Sequence, residues 1–253
     1  MKAKTILLGI LMLLISEVDG FGEQGIRLTS GEWPPYTSEK LPGYGMLSQL
    51  VTEAFALGGI SVDYTFFDSW KRSYILARQG SFDGSLTWTR IPQREKDFHF
   101  SDPIAAHENV LFHMKSLSFD WQDFSDLKPF RVSVTSFYFY GDAFDSAVKK
   151  GDFTPFVVYR DIANFHNLFQ GRTDLFPMDK KVGYYLLSSA FGREQQHMVT
   201  HHPKPMGQPS TCLVISKEIP RERSAMLIRV FNRGLARLKT NGRYLEILSG
   251  YGP

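Results

Sequence analysis

The stretch from Asp83 to Pro103, DGSLTWTRIPQREKDFHFSDP, concentrates the residues with the clearest chemical purpose. Gly84 to Trp88 reads as a strand, and Pro92 turns the chain into a basic-rich segment carrying Arg94. The chain then returns through Phe98, Phe100, Ser101 and Asp102. This order sets a guanidinium at the carboxyl end of a strand, where α/β folds bind ligands. A planar guanidinium meets a carboxylate with two parallel hydrogen bonds, so the chemistry expected is anion capture. Arg90, just upstream, competes for the role, and a weak surface pair of Arg94 with Glu95 is the plain alternative. Asp179 follows the strand-like Leu175-Phe176 and precedes a helix. It either projects its carboxylate from the strand end or caps the helix. Tyr36 ends the turn Trp33-Pro34-Pro35-Tyr36, whose prolines stiffen the backbone that presents its ring.

Other chemistries find little support. His107 and His113, and the adjacent His201 and His202, lack a Cys or carboxylate cluster at metal-ligand spacing, so no metal is expected. Neither a Gly-x-Ser-x-Gly elbow nor a phosphate-binding glycine loop occurs in the sequence, and no cofactor is expected. A net charge of +3 with acids and bases interleaved does not call for nucleic acid. The single cysteine, Cys212, lies in an apolar strand and reads as a core residue without an internal disulfide partner.

The elements that must position these residues alternate between strand-like and helix-like stretches, which argues α/β. Ile26 to Thr29 is a first strand. A helix beginning near Gly45 carries Leu47, Leu50, Val51, Ala54 and Phe55 on one face. Ser61 to Phe67 alternates as a half-buried strand, and Trp70 to Arg78 forms a second helix. Glu108 to Met114 is a strand leading out of this first unit. A new series follows: strands near Arg131–Val134, Phe156–Tyr159 and Leu175–Phe176, with helices near Asp142–Lys149, Ile162–Phe169 and Lys181–Phe191. Thr211 to Ser216 is a further strand. A periodic helix carrying Leu227, Val230, Phe231, Leu235 and Leu238 leads to a short one at Tyr244–Leu248.

Residues 1–20 read as a signal peptide: Lys2 and Lys4, an apolar run from Ile6 to Ile15, and Val18 and Gly20 before a cleavage point at Phe21. The apolar run is shorter than the roughly 20 residues that span a bilayer. The chain from residue 21 onward is expected to be an exported, periplasmic protein without disulfides.

With these pieces in order, the sequence resembles the family 3 extracellular solute-binding proteins of the polar amino-acid-binding type. The resemblance covers nearly all of the mature chain. It rests on Pro34-Pro35-Tyr36; Gly80-x-x-Asp83-Gly84; Pro92-x-Arg94 followed by Phe100-Ser101-Asp102-Pro103; Leu127-Lys128; Gly171-Arg172-x-Asp174 with Asp179; and Phe231-Asn232-x-Gly234-Leu235 with Gly242-x-Tyr244. It implies an α/β fold of the type II periplasmic-binding-protein class, a two-lobed clamshell in which each lobe is a mixed sheet flanked by helices. Lobe 1 would comprise 21–107 and 213–253, and lobe 2 would comprise 108–212, with crossings near 105–112 and 209–216. Ligand would bind between the lobes, and hinge closure would bury it.

The resemblance also assigns roles. Arg94 would hold a ligand carboxylate and Asp179 an α-amino group. Thr89 and Trp88 would supply a hydroxyl, an amide and a wall, although Trp88 has an equal claim to be core. Tyr36 would stack on the ligand, and Trp33 and Trp70 are further wall candidates. Ser136 or Thr135 would offer a hydroxyl from lobe 2, but Thr135-Ser136-Phe137-Tyr138-Phe139-Tyr140-Gly141 departs from the family's Gly-x-Ser/Thr turn by placing bulky rings there. The function implied is capture of an amino acid or related small carboxylate by a monomer serving an inner-membrane ABC permease, with no catalysis. The alternatives are a ligand-sensing receptor without transport, or a dehydratase- or lyase-like enzyme on the same clamshell. The enzyme would need an acid or base from Glu32, Glu108 or Asp179.

Overall fold

The computed structural model describes residues 25–251; the expected signal segment 1–20 lies outside the described residues. Two separate sheet systems organise the chain. The first begins with β1 (Ile26–Gly31), in which buried Ile26 and Leu28 alternate with exposed Arg27. Next comes α1 (Met46–Ala56), whose Leu47, Leu50, Val51, Ala54 and Phe55 are all fully buried along one stripe. β2 (Val62–Phe67) pairs parallel with β1, and α2 (Trp70–Arg78) starts where the Ser69 hydroxyl accepts the Arg72 amide at 3.4 Å. β3 (Gly84–Thr89) then lies parallel to β1 on its other side. The Pro92 turn is a single helical turn, α3 (Pro92–Glu95), followed by the short β4 (Phe98–Phe100) and β5 (Ala105–Ala106).

The second system opens with β6 (Asn109–Met114). It continues through β7 (Ser133–Thr135), α4 (Asp142–Lys150), β8 (Phe156–Val158), α5 (Asp161–Phe169), β9 (Leu175–Asp179), α6 (Lys180–Ala190), α7 (Arg193–Met198) and β10 (Val199–His201). Strands β10, β6 and β9 form an antiparallel sheet, and β7 pairs parallel with β8. A parallel bridge from Val132 to Leu175 ties the pair to the sheet. Stacked Phe112 and Phe176 rings, 5.5 Å apart, anchor this core with Phe165 edge-on to both.

The chain then returns to the first system as β11 (Ser210–Ser216), between β3 and β4, giving the order β2-β1-β3-β11-β4 with β5 on the end of β11. It closes with α8 (Arg221–Thr240) and α9 (Arg243–Ser249). α8 packs on α1 so closely that a Cβ on Gly234 would sit 2.0 Å from the Ala54 carbonyl oxygen, which requires glycine there. Phe231, Leu235 and Leu238 fill the seam, with Phe231 5.4 Å from Phe55.

The two segments that connect the sheets run side by side. The His107 amide donates to the Pro209 carbonyl at 3.0 Å, and the Asn109 amide to Gly207 at 3.1 Å. The architecture is therefore two α/β lobes joined by two crossing strands. Several small elements escape the sequence pattern, α7 and β10 among them. α7 buries none of its side chains, so it carries no apolar period, and β10 is three residues long. Among the described residues, no helix is long and apolar enough to cross a membrane.

Candidate functional site

Between the lobes lies a cavity of about 550 Å³, solvent at its mouth included. Lobe 1 supplies Trp70, Thr87, Trp88, Thr89 and Arg94; the crossing strands supply His107, Asn109 and Thr211. Lobe 2 closes it with Asp179 and the rings of residues 137–140.

Arg94 is buried, only 8% exposed. Its placement follows from α3, which Pro92 starts and which folds the side chain back under β3. Nη1 donates to the Thr89 carbonyl at 3.0 Å, and the guanidinium lies over the Trp88 ring, 4.8 Å from its centroid. No carboxylate lies within 4.0 Å of it among the described residues. Burial pulls its pKa down to about 10, against the raising influence of Tyr74 and of Asp145 across the cleft, so it stays charged at neutral pH. Arg90 has the opposite fate: its exposed side chain pairs with Glu95 at 2.8 Å and covers the outer ring of Phe100. The surface pair that was the alternative for Arg94 thus belongs to Arg90.

Trp88 is both wall and core. It lines the cavity, is 3% exposed, and donates its indole N–H to the Ser85 hydroxyl at 2.7 Å. Trp70 stands edge-on to it at 5.6 Å, over Gly31, where a Cβ would meet the Trp70 ring at 2.8 Å. Between them in the lining, Thr87 holds a φ of +66°, uncommon for a β-branched residue, at the point where the β3–β11 register shifts.

Asp179 ends β9 and caps α6, accepting the Val182 amide at 2.9 Å on Oδ1. Oδ2 accepts the Glu108 amide at 3.2 Å and the Tyr36 hydroxyl at 3.3 Å. The cap and the cavity border, alternatives in the sequence, are here the same residue. Burial dominates its titration and raises the pKa to about 6, with these hydrogen bonds pulling the other way. Tyr36 does not line the cavity: it stacks behind Trp33, 4.4 Å between ring centroids, and sends its hydroxyl across the lobes to Asp179. The preceding Pro34-Pro35 bond is cis. Ser136 also lies off the cavity, in a groove on lobe 2 beside Val134 and Val157, because its amide continues the β7–β8 pairing to the Val158 carbonyl at 2.7 Å. Glu108, half-buried, pairs with Lys180 at 3.5 Å, and Glu32 borders a different pocket.

Several lining residues were not assigned to the site by sequence, Phe137, His107 and Asn109 among them. Phe137, in the altered turn, has a φ of +70° and projects between Tyr74 (5.5 Å) and Trp88 (6.3 Å) of the other lobe. Its bulk was visible in sequence, but not its backbone conformation. His107 lines the cavity with Nδ1 buried and unpartnered, and burial holds its pKa down at about 4. Asn109 lies beside it on the crossing strand. Their position on a predicted crossing was the available signal.

Two lobes of this topology, with the cavity at the crossing strands, define a type II periplasmic-binding-protein clamshell. The family model for bacterial extracellular solute-binding proteins, family 3, matches residues 27–253, and the chain belongs to that family. No curated protein matches the sequence significantly. Among solved structures, the chain is similar to an ancestral arginine-binding protein bound to arginine (18% identity, TM-score 0.75, covering 92% of this chain and 100% of that one). It is also similar to a histidine kinase sensor domain (16%, TM-score 0.75, 90% and 96%). A third match is an ancestral amino-acid-binding protein described as a precursor of cyclohexadienyl dehydratase (20%, TM-score 0.67, 89% and 94%). At these identities the likeness is one of fold.

Proposed function

We propose that this protein is a periplasmic receptor that closes its cleft on a small carboxylate, using Arg94 as the anchor, and delivers it as a monomer to an inner-membrane ABC permease. The observation that carries the reading is Arg94 itself. A buried guanidinium with one hydrogen bond and no carboxylate partner among the described residues retains donors for a planar anion. Thr89 and Trp88 hold it in place from one lobe, and the rings of lobe 2 exclude water from the other. Membership of a solute-binding family supports capture and transport over chemistry. Of the acids considered for catalysis, only Asp179 borders the cavity, and it is committed to capping α6.

The test is a thermal-shift screen with small carboxylates, in which ligand at a hundred times Kd stabilises by roughly 2.7 kcal/mol. Arg94→Ala should lose the shift while keeping its own melting temperature. A variant that binds as the parent does would remove Arg94 from the site. Recovery of the ligand chemically altered would favour an enzyme.

A further inference from the structure

Resting on that reading of Arg94, we infer that the cleft selects carboxylates that carry no α-ammonium group, with a compact apolar or aromatic body. An ammonium brings three N–H donors and a full charge, and burying it without acceptors is strongly unfavourable. Asp179 is the one carboxylate among the cavity-lining residues, and the chain already occupies most of its accepting positions. Val182, Glu108 and Tyr36 donate to it at 2.9, 3.2 and 3.3 Å. A carboxylate has about four lone-pair sites, so about one is left for the three N–H donors of an ammonium. The backbone amides cannot turn away, since α6 and the crossing strand fix them.

The other polar groups of lobe 2 are committed too. The Tyr140 hydroxyl accepts the Thr135 amide at 2.8 Å, and the Tyr138 hydroxyl donates to Asp161 at 2.7 Å. What remains in the lining is a set of neutral groups: the Thr89 hydroxyl, the Asn109 amide and the imidazole of His107, whose Nδ1 has no partner. Such groups suit an uncharged oxygen, as in a 2-oxo or 2-hydroxy acid, better than a cation. Phe137 then restricts the body of the ligand. Its ring enters the cleft against Tyr74 and Trp88, occupying space from the lobe 2 side and making that wall apolar.

The experiment is titration calorimetry of the mature protein with matched pairs that differ at the α-position: phenylacetate against L-phenylglycine, and 2-oxobutanoate and 2-hydroxybutanoate against L-2-aminobutanoate. The expected result is at least tenfold tighter binding of an acid than of its amino counterpart. In Tyr36→Phe, which frees one accepting position on Asp179, the ratio should shrink. Equal or tighter binding of the amino acids by the parent protein overturns this inference and leaves the Arg94 anchor standing. Binding of phenethylamine with no carboxylate bound, or no binding across the panel by folded protein, overturns the anchor and this inference with it.

Discussion

Arg94 and Asp179 face the same cavity from opposite lobes, both buried, and differ in what their own chain does for them. Arg94 receives one hydrogen bond partner and an aromatic face. Asp179 collects a helix cap, a crossing-strand amide and a tyrosine hydroxyl. Burial disfavours charge at both: it lowers the Arg94 pKa to about 10 and raises that of Asp179 to about 6. The contrast teaches that a charged residue at a cleft is a ligand contact to the extent that folding leaves its valences open. Residue type and position alone do not separate the two cases.

The sharpest way to break this comparison is to remove each side chain in turn. Arg94→Ala should weaken carboxylate binding by about a hundredfold or more, the scale of a lost bidentate charge-assisted pair. Its melting temperature should hold, and calorimetry with a thermal melt reads both. Asp179→Ala should do the reverse in kind. Losing the cap and orphaning the Tyr36 hydroxyl and Glu108 amide should cost about 2 kcal/mol, or roughly 4–8 °C in Tm for a chain of this size. A variant of Asp179 with unchanged Tm and lost binding would invert the assignment.

A smaller effect should follow from Phe137→Gly. Glycine relieves a left-handed backbone worth about 1–2 kcal/mol, while the lost ring contacts take back a similar amount. The melting temperature should therefore move by only a few degrees, and bulkier aromatic acids should gain affinity about tenfold. Unchanged ligand-size dependence would show that the ring does not limit the cleft.

A further effect concerns pH. Asp179, with its pKa raised, favours the folded state below its unfolded value, and that contribution is lost as pH rises through about 6. His107, with its pKa lowered to about 4, favours the folded state above its ordinary value, and that contribution is lost as pH falls from about 6.5 to 4. The two slopes oppose each other, so their joint contribution should be nearly flat across this window. Relative to the parent, Asp179→Asn should lose stability on acidification and His107→Phe should gain it, each by on the order of 1–3 kcal/mol in urea melts.

Much of the fold was legible because it rests on local periodicity. The stripe of α1, the alternation of β2 and the bounds of α2 all follow from residues within one element. Arg94 was legible through the Pro92 turn, which fixes its direction within a few residues. Tyr36 was not, since its ring is turned behind Trp33 and its hydroxyl reaches a residue from the other lobe. Thr87 and Phe137 were silent for a different reason. Positive φ is a glycine or asparagine signal in sequence, and a threonine or phenylalanine held there by tertiary packing gives none. His107 and Asn109 become neighbours of the cavity only through the pairing of the crossing segments.

Cys212 lies directly across the ladder from Trp88, 3% exposed, with burial pushing its thiol up to about 11. In an oxidising compartment a free thiol is a hazard, because it can join two chains or trap a small thiol as a mixed disulfide. Here the thiol is protonated and sealed under the side chains packed on its face of the sheet, so attack requires Tyr74, Phe98 and Phe100 to move aside. The rate at which a thiol reagent modifies the folded protein therefore counts openings of that packed face. Motion of the two lobes as rigid bodies would leave the count unchanged, which makes Cys212 a native clock for loosening of the aromatic cluster behind Trp88.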